Sequence, residues 1–249
     1  MSKAAEKKKP SARKKKAEDS KAAPVKPPFL WLRRLVRWSF WGPVLFVSLV
    51  VGFFAVINPP TTHTIWMEGR RLGAIDRQWL PIEEVAPVVM RSVVAAEDAN
   101  FCRHWGFDMG AIRAALDAGA KRGASTLTQQ TVKNVFLWQG RSWTRKAIEA
   151  ALTPVVEVFW HKRRILEIYL NVAEFDEGVF GVDAAAHHYF GKSPADLSPT
   201  EAARLAVVLP NPKGRDPNNL SPSLRKRAAQ VASGAATIQA DGRAACFQD

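Results

Sequence analysis

Residues 92–108, SVVAAEDANFCRHWGFD, pose the first question of this chain. An apolar run ends there in two adjacent carboxylates, Glu97 and Asp98, with Phe101, His104 and Gly106 close behind. Val85, Val89, Val93 and Glu97 recur every four residues, so 83–100 reads as a helix with Glu97 on its apolar stripe. A carboxylate lying against apolar surface is desolvated, and its pKa rises toward the range that a general base or acid needs. Taken alone, the stretch has a plainer reading: a solvated acidic pair at a helix terminus, with His104 as a structural hydrogen-bonder. Its neighbours decide between the two.

The chain has 249 residues and a net charge of +13, enough for one globular domain with attachments. The charge is unevenly placed. Residues 1–37 hold 13 Lys/Arg against three acids (Glu6, Glu18, Asp19), whereas the remaining 212 hold 23 basic and 20 acidic side chains. A near-neutral domain behind a polycationic tail argues against nucleic acid as partner, and a run such as EKKKPSARKKKAE reads as a disordered, solvated segment. Residues 38–57, WSFWGPVLFVSLVVGFFAVI, carry no charge and are long enough to cross a ~30 Å hydrocarbon core as a helix. Trp31, Trp38 and Trp41 stand where aromatic side chains favour the membrane interface. A cleaved signal peptide fits less well, because AVINPP offers no small-x-small cleavage pattern. The basic flank expects a cytoplasmic N-terminus in a bacterial inner membrane and a periplasmic outer domain over 64–243. Cys102 and Cys246 would then meet an oxidising compartment, where a disulfide and two free buried thiols are both open readings. No metal-type Cys/His spacing is present.

Beyond a lead-in over 64–82, expected to be extended with one turn, the pattern is mainly α. Helices are expected over 108–120, after GAST (123–126), after a cap at Ser142, and through HKRRILEIYLNVAEF with an Arg163–Glu167 pair. Pro154 is expected to kink or shorten the third of these. Ser198, Pro199 and Glu201 spell a helix start with a capping box.

Two further clusters carry polar chemistry. GASTLTQQTVKN (123–134) offers small residues for close backbone approach, neutral hydrogen-bonding groups at Ser125, Thr126, Gln129 and Gln130, and a cation at Lys133 suited to phosphate. No phosphate-binding G-x-x-x-x-G-K-[ST] loop is present, so nucleotide binding has no support. RKAIE (145–149) puts Arg145, Lys146 and Glu149 on one helix face; by itself this is an exposed ion pair worth a few tenths of a kcal/mol.

EDANFCRHWGFD, GASTLTQQTVKN, RKAIEAAL, RILEIYLNVAEF and AAAHHYFGKSPADLSPTEAARLAVVLPNP follow one another in an order and spacing that resembles the peptidoglycan glycosyltransferases. The resemblance runs from about Leu80 to Pro212, and the wording is most similar to the monofunctional members; the end near 249 leaves no expected room for a transpeptidase domain. It implies a lysozyme-like, mainly α domain after one membrane anchor. It also implies a reaction, polymerisation of lipid II into β-1,4-linked glycan with release of undecaprenyl diphosphate. By the resemblance, Glu97 is the catalytic base of an inverting displacement. Glu149 is a second essential acid that orients cations or helps hold a metal. Gln130, Lys133, Arg145 and Lys146 bind donor and diphosphate, Asp98 and His104 support Glu97 and its loop at the substrate site, and Ser125 and Thr126 line the cleft. No cofactor is obligatory, although Mg²⁺ or Mn²⁺ at the diphosphate suits such oxygens. Expected partners are lipid II, the growing glycan, membrane lipid and other wall-synthesis or division proteins. Ala124 replaces a usual second glycine, and the segment DAGAKR (117–122) is short, which implies altered acceptor handling. The competing readings are a lytic lysozyme-like enzyme, which needs no diphosphate-binding cations, and a non-enzymatic scaffold.

Overall fold

The computed structural model describes residues 29–119 and 123–248. Residues 1–28 of the expected tail, and residues 120–122 within DAGAKR, lie outside them. The described residues form ten α-helices and one three-stranded sheet.

Helix α1 runs Leu30–Phe54. It begins before Trp38 because LWLRRLV is built of helix formers with no breaker after Pro27 and Pro28. Residues 30–37, expected in the disordered tail, are therefore helical. Trp31–Phe54 counts 24 residues, about 36 Å of helix, within which a stretch of 18 reaches a mean hydropathy of 1.5. The C-terminal end of α1 is fixed by two side chains. Trp160 Nε1 donates to the Val51 carbonyl (2.7 Å), and the Arg164 guanidinium donates to the carbonyls of Phe54 (3.1 Å) and Ile57 (3.0 Å). Arg164 thus satisfies carbonyls that the helix end leaves without partners.

The lead-in is not extended: His63–Leu72 is helix α2. Thr62 caps it by accepting from the Ile65 N–H, and Gly73 ends it at φ 81°, a left-handed conformation that glycine reaches without strain. Period-four apolar spacing is absent over this short helix, so the caps were its only sequence signal. Strands β1 (Asp76–Arg77), β2 (Glu174–Asp176) and β3 (Val179–Phe180) form a sheet in the order β1-β3-β2, with β1 parallel and β2 antiparallel to β3. These strands fall within stretches expected as lead-in and helix.

Helix α3 spans Pro87–Glu97 and buries Val89, Val93 and Val94; a 3₁₀ turn, Phe101–Arg103, follows. Asp108 caps α4 (Met109–Asp117). Helices α5 (Leu127–Phe136), α6 (Trp143–Phe159) and α7 (Lys162–Val172) come next, with α5 packed against both of the others. Pro154 does not shorten α6, which continues to Phe159. Arg163 does not pair with Glu167: it reaches Glu83 (2.8 Å), and Glu167 accepts from Arg164 instead (2.8 Å). Asn171 joins α7 to the segment before α3 by a two-way bond, accepting from the Leu80 N–H (2.7 Å) and donating to its carbonyl (2.9 Å). Helix α8 (Val182–Phe190) leads to α9 (Pro199–Val208), whose capping box of Ser198 and Glu201 forms as expected. Helix α10 (Pro222–Ala240), not foreseen from sequence, packs on α3 and α9.

Phe101, Trp160, Tyr169, Phe175, Phe180 and Phe247 are the large side chains at the centre of the core. Cys102 and Cys246 are joined in a disulfide that closes a 144-residue separation. A covalent link over so long a loop removes much unfolded-chain entropy. Replacing both cysteines by serine is expected to lower unfolding free energy by about 2–5 kcal/mol, read as an earlier thermal transition in detergent; an unchanged transition would contradict this role.

Candidate active site

Glu97 is the last residue of α3, and its stripe of valines leads its carboxylate into a largely enclosed position. Gln130 Nε2 donates to Glu97 Oε2 (2.8 Å), and Gln130 Oε1 in turn accepts from the buried Tyr169 hydroxyl (3.2 Å). Burial pushes the Glu97 carboxyl up from the ordinary glutamate range. The Gln130 bond and the fields of Arg227, Lys133 and Arg215 oppose that shift without cancelling it.

Asp98 faces the other way. It leaves the helix at φ −158°, and its carboxylate is buried. His104 Nε2 lies 2.9 Å from Oδ1, and the Leu127 backbone N–H, at the first turn of α5, donates to Oδ2 (3.0 Å). A carboxylate at a helix N-terminus satisfies a free N–H and meets the positive end of the helix dipole. Thr126 is equally enclosed: it shares a capping box with Gln129, and its hydroxyl donates to the Gly106 carbonyl (2.6 Å). Gly106 sits at φ 78°, where a Cβ would come within 2.7 Å of Thr153, so only glycine fits. Asp98, His104 and Thr126 therefore help to build the site. Asp98 and His104 were expected to support Glu97 and its loop, and Thr126 to line the cleft; in the structure the side chains of all three are engaged by protein groups around the start of α5.

The second cluster lies on α5 and α6. Lys133, one helical turn beyond Gln130, is largely buried, and burial together with the positive charge of Arg145 pushes its pKa down. Glu149 is 3 % exposed and accepts from Arg145 Nη1 (2.9 Å) and from Lys146 Nζ. Lys146 Nζ also donates to the Ser125 hydroxyl (2.9 Å), which brings the loop before α5 onto α6. RKAIE is thus not an exposed ion pair but the buried anchor of a three-cation group. Both Glu149 oxygens are engaged, and no three His, Cys, Asp or Glu side chains converge among the described residues. This donor set suits guanidinium and ammonium rather than a caged Mg²⁺ or Mn²⁺.

A cleft of about 400 Å³ opens beside these groups, lined by Gln130, Lys133, Tyr169, Glu174, Asn211 and Lys213 among others. The last three, and the distant Arg215 and Arg227, were not singled out from sequence. Glu174, Asn211 and the proline after it lay inside stretches quoted for the resemblance, so position in a motif was their only signal. Burial raises the Glu174 carboxyl, with Lys213 opposing.

Residues 67–236 match the family described as Transglycosylase. A Jannaschia sp. (strain CCS1) protein named biosynthetic peptidoglycan transglycosylase is 57 % identical over 215 residues, covering 86 % of this chain and 90 % of that protein. Proteins of the same name from Xanthomonas oryzae pv. oryzae (45 % over 224 residues; 84 % and 89 %) and Rhodospirillum centenum (43 % over 222 residues; 88 % and 96 %) are also similar.

The raised Glu97 pKa gives a stability prediction with a definite sign. Folding favours the protonated carboxyl, so no penalty exists below the unfolded-state value, and a penalty grows as pH rises through the folded-state value. Glu97→Gln, which keeps an oxygen for Gln130, is expected to match wild type in acid and to melt later than wild type at neutral pH. Equal melting across the whole range would show that the carboxylate carries no burial cost.

Proposed function

The chain belongs to the transglycosylase family, whose domain is lysozyme-like, and from that premise we propose that it polymerises lipid II into β-1,4-linked glycan at the outer face of the inner membrane. The observation that supports this most is one helical turn of α5. Gln130 binds the half-buried carboxylate of Glu97, and Lys133 brings a half-buried cation beside Arg145 and Lys146.

In this reading Glu97 takes the proton from the 4-hydroxyl of the acceptor sugar as that oxygen attacks C1 of the donor. A carboxyl with a raised pKa is better matched to that proton than an ordinary glutamate. The bond to undecaprenyl diphosphate breaks on the opposite side, so an α-linked donor gives a β-linked product in one displacement. Negative charge then grows on the diphosphate. Lys133, Arg145 and Lys146 meet it in an enclosed site, where fixed charges act more strongly than in water. Glu149 holds two of the three cations in place, and Ser125 holds one of them from the loop side. A lytic enzyme acting on finished glycan would have no diphosphate to meet, and this cation group would be without purpose.

The membrane arrangement fits a substrate whose sugars stand outside while its tail stays in the bilayer. Helix α1 is long and apolar enough to span, and the basic residues on its N-terminal side favour a cytoplasmic start. On the folded domain, Phe159 packs against Gly52 of α1, and Trp143, Val158 and Phe159 of α6 are exposed apolar side chains suited to lipid.

Purified protein given lipid II is expected to form high-mass glycan that lysozyme digests, and Glu97→Gln is expected to abolish it. Cut sacculi from wild type, or normal polymer from Glu97→Gln, would overturn the reading. Lys133→Met is expected to lower kcat/KM by about 10²–10³-fold, the loss seen when one charge-stabilising donor is removed; an unchanged value would remove Lys133 from the diphosphate site.

A further inference from the structure

The end of α3 is held from outside the cleft by the last part of the chain. Two carbonyls flank Glu97 without helical partners, and each accepts from an arginine. Arg227 Nη2 of α10 donates to Ala96 O (3.2 Å), and Arg243 Nη1 donates to Ala99 O (3.0 Å). Asp241 fixes the Arg243 guanidinium through Nε (2.8 Å) and Nη2 (2.7 Å).

The residues that follow tie down the rest of this corner. Cys246 is bonded to Cys102, five residues after Glu97. Phe247 is fully buried with its ring 6.4 Å from that of Phe101, and its carbonyl accepts from Arg163 (3.1 Å). Gln248 accepts from Arg91 in the middle of α3 (3.1 Å) and donates to the carbonyl of Pro87 at its start (2.9 Å). The segment 241–248 therefore grips α3 at its beginning, its middle and the turn beyond its end.

We propose that Arg227, Arg243 and the disulfide-tethered segment 241–248 are positioning elements for Glu97, fixing the direction in which α3 delivers its carboxylate to the acceptor hydroxyl. The proposal rests on the reading of Glu97 as base. None of these groups lines the cleft. They act on the backbone on either side of the carboxylate, and a displacement of about 1 Å at a reacting group can cost about 10²-fold in rate. Gln130, which lines the cleft, holds Glu97 from that side, and the C-terminal segment holds the corner from behind.

Arg227 has a second effect that Arg243 lacks. Among the described residues, the charged and titratable groups that face Glu97 are Arg227 from α10, Lys133 from α5, Arg215 beyond the 212–214 turn, and Tyr169 from α7. The positive charge of Arg227 opposes the upward push of burial. Removing it raises Glu97 further and moves the acid limb of the rate profile to higher pH.

The test uses the full chain in detergent with lipid II, comparing Arg243→Gln, Arg227→Gln, Arg227→Lys, the double change Cys102→Ala/Cys246→Ala, and Glu97→Gln. Circular dichroism first sets a temperature at which each variant is folded. Arg243→Gln and the double cysteine variant are expected to lose about tenfold in kcat with KM for lipid II nearly unchanged, a fraction of the loss that full misplacement brings. Arg227→Gln is expected to lose kcat and shift the acid limb upward, and Arg227→Lys to restore the limb. If the cysteine variant does not fold, Arg243→Gln decides alone. Wild-type kcat in folded Arg243→Gln, or an unmoved acid limb in Arg227→Gln, would overturn the proposal. A fully active Glu97→Gln would instead overturn the reading of Glu97 as base, so the two failures are distinct.

Discussion

The hydrogen bond from the Leu127 N–H to Asp98 Oδ2 is the contact on which the arrangement of this protein depends. It joins the end of α3 to the start of α5, two elements with no common secondary structure. Because Asp98 is the next residue after Glu97, fixing one carboxylate on the α5 terminus sets the other beside Gln130, one turn along the same helix. His104 closes the opposite side of Asp98, and Gly106 lets the loop pass over Thr153 to receive the Thr126 hydroxyl. The adjacent acids thus have opposite tasks: one is spent on architecture and the other is kept available.

Keeping Glu97 available costs stability. A carboxylate and a lysine are both half-buried within electrostatic reach of each other, yet among the described residues neither is neutralised in a direct ion pair, and their pKa values move in opposite directions. Burial at a mutually attractive distance limits the cost, while the Gln130 bond and the Glu149 anchor supply geometry rather than neutralisation. Groups so placed answer to a partner that brings its own proton and its own negative charge, as an acceptor hydroxyl and a lipid diphosphate do.

Much of this was legible in the sequence, and the parts that were not share a cause. The valine stripe of α3, the capping box at Ser198, the cap at Ser142 and the apolar run of α1 depend on residues within a few positions of one another, and each appears in the structure. The ordered motifs brought Glu97, Gln130, Lys133 and Glu149 to attention. The bonds that engage Asp98 and Thr126 were not legible, because capping and ligand binding draw on the same side-chain oxygens. Helix α2 and the short strands carry too few residues for a period to show. The hold of Arg227 and Arg243 on the α3 terminus spans separations of 131 and 144 residues, and no local pattern records such a contact. For the cysteines, the expected compartment left a bond and two free thiols both open, and only the fold brings Cys102 and Cys246 together.

A partly desolvated carboxylate near a group of cations should announce itself in how the rate depends on pH. The direct measurement is kcat/KM for lipid II polymerisation by the intact protein as pH is lowered from neutrality. The account predicts an acid limb with an apparent pKa above the ordinary glutamate range, as the burial of Glu97 requires. A rate that holds steady down to or below that range would contradict it.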